Sequence, residues 1–155
     1  MKITVDAPDF EWMAKQVANP KSIMQSYRRH RRAEVQRLMS QGQDPYGQSY
    51  QPLSKAYAAK KRERWGNQPI LTASGKMRRS YKTRLVGSVL EESMDPPAIY
   101  HQEGDGVPER LVLPTAARGI PSRDLEQLDK IGRRFIKRIA LKAPRRTFTV
   151  GQTVL

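Results

Sequence analysis

Two stretches of the chain repeat apolar residues at helical spacing. Between Asn19 and Gly42 they fall at Ile23, Met24, Tyr27, Val35, Leu38 and Met39, mostly three and four apart. That spacing lines one face of an α-helix. Asn19 suits an N-cap, Pro20 a first helical position and Gly42 a C-terminal stop. The pattern predicts a helix over residues 20–41. The second stretch carries Leu125, Leu128, Ile131, Phe135, Ile136, Ile139 and Ala140 and predicts an amphipathic helix over residues 123–142, ended by Pro144.

Shorter elements fill the rest. Residues 2–6 alternate β-branched side chains and read as a strand, and Phe10–Val17 as a short helix. Residues 42–53 form a polar loop rich in Gly and Pro. Ser54 caps a helix over residues 55–64 that Gly66 ends, and Thr72 or Ser74 caps a short turn through Lys76–Arg79. Residues 80–86 and 88–94 read as a hairpin about Gly87, Ala98–Gln102 as a short segment and Arg110–Leu113 as a further strand. Thr147–Leu155 has β character and is too short to fold alone, so it is expected to pair with another segment, a neighbouring subunit being the candidate. The order predicts one α+β domain over residues 1–142. In it a small, mostly antiparallel sheet packs against the long helix of the N-terminal half and the C-terminal amphipathic helix. Residues 143–155 read as a tail acting as an intersubunit arm.

Composition adds a constraint on partners. Of 155 residues only 37% are apolar, so the core is modest and part of the chain is expected to order on neighbouring subunits. Lys and Arg number 29 against 15 Asp and Glu, a net charge of +14. Residues 20–90 alone hold sixteen basic and three acidic groups. A charge so placed points to a polyanion, either nucleic acid or an acidic protein surface. The absence of cysteine excludes disulfides, thiolate metal sites and cysteine nucleophiles. With only His30 and His101, a histidine-built metal site is not expected, nor any other cofactor. There is no leader-like N-terminus and no apolar run of membrane-spanning length, so a soluble protein, intracellular when made, with no membrane partner is expected.

The candidate contact residues follow from charge and aromaticity. Arg28, Arg29, Arg31, Arg32, Lys60, Lys61, Arg62, Arg64, Arg78 and Arg79 are candidates for contact with DNA or an acidic partner. Arg31 falls on the apolar stripe between Tyr27 and Val35, where a cation either snorkels or meets another chain. Tyr46, Tyr50, Trp65, Phe148 and Val150 are candidate intersubunit contacts. Tyr50 and Trp65 serve equally well as covers for the chain's own core. No catalytic constellation is present: Glu91, Glu92, Asp124 and Glu126 read as solvated surface charge, and His101 as a structural residue where a strand enters a turn.

Four motifs go further. Gln43-Asp44-Pro45-Tyr46-Gly47-Gln48-Ser49-Tyr50-Gln51-Pro52-Leu53-Ser54, followed by Tyr57 and Lys60-Lys61, resembles the "DP-x-G-x-x-W-x-PLS…K" signature of the tailed-bacteriophage virion-morphogenesis, or tail-completion, family, with Tyr50 in place of the usual Trp. Ile70-Leu71-Thr72-Ala73-Ser74-Gly75-Lys76-Met77-Arg78-Arg79-Ser80, Ala98-Ile99-Tyr100-His101-Gln102-Glu103-Gly104 and Ile120-Pro121-Ser122-Arg123-Asp124-Leu125 are similar to three more of its elements, in the family's order. The acidic stretch 91–97 and the extension past Pro144 depart from the pattern. The resemblance implies a non-catalytic structural protein of the phage neck. It would form a ring, commonly sixfold, between connector and tail proteins and beside the DNA channel. A free, non-specific nucleic-acid-binding protein is the alternative.

Overall fold

The computed structural model describes residues 2–151. The chain runs β1 (Lys2–Pro8), α1 (Phe10–Val17), α2 (Lys21–Gln41), α3 (Lys55–Trp65), α4 (Lys76–Ser80), β2 (Lys82–Val86), β3 (Val89–Ser93), α5 (Pro96–Glu103), α6 (Ser122–Lys142) and β4 (Arg145–Gly151). This is an α+β domain, with two separate two-stranded antiparallel sheets in place of the single small sheet expected.

The helix boundaries follow local chemistry. The Asp9 carboxylate accepts from the Trp12 N–H at 3.0 Å and starts α1. At α2, Pro20 occupies the cap position rather than the first turn, and Asn19 Oδ1 accepts from the Lys21 N–H at 3.2 Å. Gly42 ends α2 in the left-handed region, where a Cβ is disfavoured. Ser54 caps α3 as expected, its hydroxyl accepting from the Tyr57 N–H. The β2–β3 hairpin turns at Gly87-Ser88 and sets Leu85 opposite Leu90, with Arg84 opposite Glu91 on its exposed side.

β4 pairs with β1 of the same chain over Lys2↔Gly151 to Pro8↔Arg145. The pairing places Phe148 opposite Val5 and Val150 opposite Ile3. The side chains of Phe148 and Val150, and residues 152–155 of the expected β tail, lie outside the described set.

Two expectations are corrected. Arg110–Leu113 is extended but belongs to no strand, because its partner is a side chain. Gln102 Oε1 accepts from the Val112 and Leu113 N–H groups at 2.8 and 3.0 Å, and its amide donates to the Leu113 carbonyl at 2.9 Å. One glutamine thus replaces a neighbouring strand. His101 sits inside α5, not at the end of a strand. Pro96 and Pro97 are what open that helix: proline is well suited to the first turn, where N–H groups lack intrahelical partners.

The apolar core is small: Val35 and Met39 of α2, Met77 of α4, Tyr81, Ala98 of α5 and Val112. Beside it lies a charged one. Arg31 is 2% exposed. It forms a bidentate pair with Glu92 on β3, Nε to Oε1 at 2.8 Å and Nη2 to Oε2 at 2.9 Å. Its Nη1 reaches Asp124 Oδ2 of α6 at 2.5 Å. Asp124 also meets His30 Nε2 at 2.9 Å, and Glu92 accepts from the Tyr81 hydroxyl at 2.6 Å. Arg31 therefore neither snorkels nor waits for another chain, and Glu92 and Asp124 are not solvated surface charge. The cluster joins α2, the hairpin and α6. Burial, then the Asp124 charge, pushes the neighbouring Tyr27 hydroxyl up to about 12.

Removing one member of a buried ion cluster strands the others. Arg31→Met is expected to cost about 3–5 kcal/mol of unfolding free energy in urea titration. A loss under about 1 kcal/mol would show that the cluster is dispensable. Burial also lowers the His101 pKa; the Pro108 carbonyl opposes this and the Arg110 charge adds to it. The unfolded chain then takes up this proton at a higher pH than the folded one, so stability falls as pH drops below the ordinary histidine value. His101→Gln should flatten that acid-side decline in Tm.

Candidate nucleic-acid interface

The ten basic candidates separate by what their side chains already hold. Arg31 and Lys61 are buried and leave the surface altogether. Lys61 Nζ donates to the Gln68 and Pro69 carbonyls, closing the turn after α3. Arg28 is half-buried and ties α2 to β2, its Nε on Thr83 Oγ1 at 2.9 Å and its Nη2 on the Thr83 carbonyl at 2.8 Å. Arg28 and Arg31 are thus engaged within the chain, which leaves Arg29 and Arg32 of the same run for the surface. Helical geometry requires such divergence of neighbours.

Four of the candidates converge. Arg29 and Arg32 of α2 and Arg78 and Arg79 of α4 line one open groove of about 560 Å³ with Ala33, Gln36 and Tyr81, and no carboxylate. The Gln36 amide donates to the Arg78 carbonyl at 3.0 Å and fixes α4 against α2. Gly75 helps place Arg79. A Cβ at Gly75 would stand 2.8 Å from Arg79 Nη1, and Arg79 Nη2 donates to the Ser74 carbonyl at 3.1 Å. The Gly75 φ of +69° also favours glycine.

Arg29 borders a second groove, of about 600 Å³, between α2 and α6. Arg134 and Arg138 line its far wall, Ile23, Ile131 and Phe135 its apolar faces, and again no carboxylate is present. The buried Ser22 Oγ on its rim has no partner and can donate to an anion. The two grooves share Arg29, so one belt of six arginines crosses α2. Density of charge along the sequence does not single out Arg134 and Arg138. A helical wheel does, because both flank the Ile131–Phe135 side of the α6 stripe.

Lys60, Arg62 and Arg64 are exposed on α3 and line neither groove. Of the aromatic candidates, Tyr46 is half-buried; its hydroxyl donates to the Gly119 carbonyl and accepts from the Thr115 N–H, and Arg118 stacks on its ring at 3.7 Å. Tyr50 is buried, with its hydroxyl on the Leu111 carbonyl at 2.8 Å. Trp65 is half-buried under Arg64. The motif around Asp44 sets a turn: its Oδ1 accepts from the Tyr46 and Gln48 N–H groups.

A family model described as the phage virion morphogenesis family matches residues 10–143. The chain belongs to that family. Its role accordingly lies in building phage particles. Curated proteins give no match, and neither do solved structures. The match spans α1 to α6 and so includes both walls of the arginine belt. No helix among the described residues is long and apolar enough to cross a membrane.

Surface arginines that meet a nucleic acid contact its phosphates as charge and do not read its sequence. Replacing Arg32 and Arg79 together by Gln should lower the salt slope of low-salt duplex binding by about 0.9 for each phosphate no longer neutralised. Replacing Arg62 and Arg64 should leave the slope unchanged. The reverse pattern in a fluorescence-anisotropy titration would move the interface to α3.

Proposed function

We propose that this protein is a non-catalytic structural component of a tailed-phage virion that forms a ring, with six subunits as the expected number, at the head–tail junction. In this reading the ring docks on neighbouring connector and tail proteins, and the arginine belt faces the DNA channel without reading its sequence.

The excess of exposed surface carries this reading. The chain exposes 11101 Å². A compact monomer of its 17.8 kDa exposes about 8000 Å². A subunit built to be solitary would not leave so much open. Large apolar side chains are among what is exposed. Leu125 and Ile136 stand 50% and 46% exposed along one ridge of α6, and Phe10 stands 65% exposed on α1, which packs beside it. Head-to-tail contacts that close into a ring bury such faces without self-complementarity. The belt supports the placement beside DNA, and equally favours the second reading, a free non-specific DNA-binding protein.

Light scattering of the purified protein, alone and with short duplex DNA at low and moderate salt, separates the two. The ring reading predicts a closed oligomer, or a monomer indifferent to DNA at moderate salt. It also predicts that Ile136→Glu abolishes assembly while leaving the circular dichroism spectrum and Tm unchanged. A tight, steeply salt-dependent complex of DNA with monomer would overturn it.

A further inference from the structure

A third cavity, of about 560 Å³, lies apart from the arginine belt. It is built from three of the four family-like motifs: residues from 51–54, 70–76 and 97–101 line it. Leu53, Ile70, Leu71, Met77, Val107 and Pro108 make it apolar. The positively charged and imidazole groups in its wall are Lys61, Lys76, His101 and Arg110, with no Asp or Glu.

Two of these cations are in an unusual electrostatic position. Arg110 and Lys61 are each 5% exposed. Neither is paired with a carboxylate among the described residues. Lys61 holds two backbone carbonyls. Arg110 reaches the Pro108 and Gln51 carbonyls only at 3.4 and 3.3 Å, and its Nε has no partner. His101 Nδ1, in the same wall, is also buried and unpaired. Buried charge is costly unless an anion or a full set of hydrogen bonds meets it. Arg31, elsewhere in the molecule, shows the satisfied case, with two carboxylates. Arg110 shows the unsatisfied one, beside an open apolar cavity. Leu71, in the cavity wall, holds φ at +66°, a left-handed conformation that is strained for leucine.

We infer that this cavity is a receptor for an acidic–apolar segment of a partner protein, whose carboxylate meets Arg110 and His101 and whose adjoining aliphatic or aromatic side chain fills the apolar wall. The absence of any lining carboxylate selects against basic segments. The apolar wall selects against DNA, whose backbone offers charge without a hydrophobic side chain. The site is independent of the ring: it is tested on protein in solution and stands or falls without it.

The probe is a fluorescein-labelled peptide, blocked at both ends, with Leu-Phe flanked by two Asp residues. Two counterparts carry Asn or Lys in place of Asp. Anisotropy titrations should rank the acidic peptide first and show no binding of the basic one. Amide shifts in NMR should map to Leu53, Leu71, Val107 and Arg110. Lys76→Glu, at an exposed position on the rim, should weaken the acidic peptide about fivefold with Tm unchanged. Arg110→Met, which removes a buried charge lacking a counter-ion, should abolish binding of the acidic peptide while Tm holds or rises. Equal binding of all three peptides, no binding of the acidic one, or shifts confined to the arginine belt would overturn the proposal. So would pocket shifts that grow with protein concentration in the absence of peptide, because the occupant would then be a second copy of the chain. Failure of the ring in light scattering leaves all of these readouts intact.

Discussion

The fold depends on one buried cation. Arg31 draws a carboxylate from the hairpin and another from α6 onto the inner face of α2. The apolar core alone, a handful of residues around Val35 and Met39, touches α2, α4 and α5 but gives α6 little to hold. Only Asp124 and Ile139 of α6 are buried. The charged cluster therefore does what the hydrophobic face would do in a compact domain. Its desolvation is tolerable because the guanidinium places an N–H from each of its three nitrogens on the two carboxylates, which also bond Tyr81 and His30.

That arrangement has a consequence for the surface. Anchored by charge, α6 leaves its Leu125–Ile136 ridge open, whereas a helix held by its apolar stripe would have buried it. The same division sets apart three kinds of cation. Arg31 is neutralised inside. The belt from Arg78 and Arg79 across Arg29 to Arg138 is exposed and faces outward. Arg110 and Lys61 are buried without a carboxylate. The last two kinds have capacity left for a partner, and the proposals made above assign them different chemistries: phosphates to the belt, an acidic side chain beside an apolar one to the cavity.

Much of this is legible in the sequence, to unequal depth. Local signals place α1, α2, α3, the hairpin and α6 within a few residues, because capping side chains, Gly42, Gly66 and Gly87 act on their immediate neighbours. The family is legible in motif order. Long-range pairing is not. Nothing near Arg31 in sequence announces that its partners lie 61 and 93 residues away. Adjacent glutamates read as surface charge until the hairpin turns Glu92 inward and Glu91 out. The strand expected at Arg110–Leu113 has extended backbone, as its composition suggests, yet pairs with the Gln102 side chain, a contact no periodicity encodes. Sequence leaves Tyr50 open between core and interface, and its buried hydroxyl on the Leu111 carbonyl places it in the chain's own interior.

If the protein is a ring subunit, the belt and the open α6 ridge are two faces of one assembly. A cryo-electron microscopy reconstruction of the neck of the mature particle tests this most directly. The expected result is a closed ring of this chain with Arg29, Arg32, Arg78 and Arg79 toward the axial DNA density and the Leu125–Ile136 ridge buried between neighbours. A particle whose neck lacks the chain, or a ring with that ridge in solvent and the belt turned away from the axis, would contradict it.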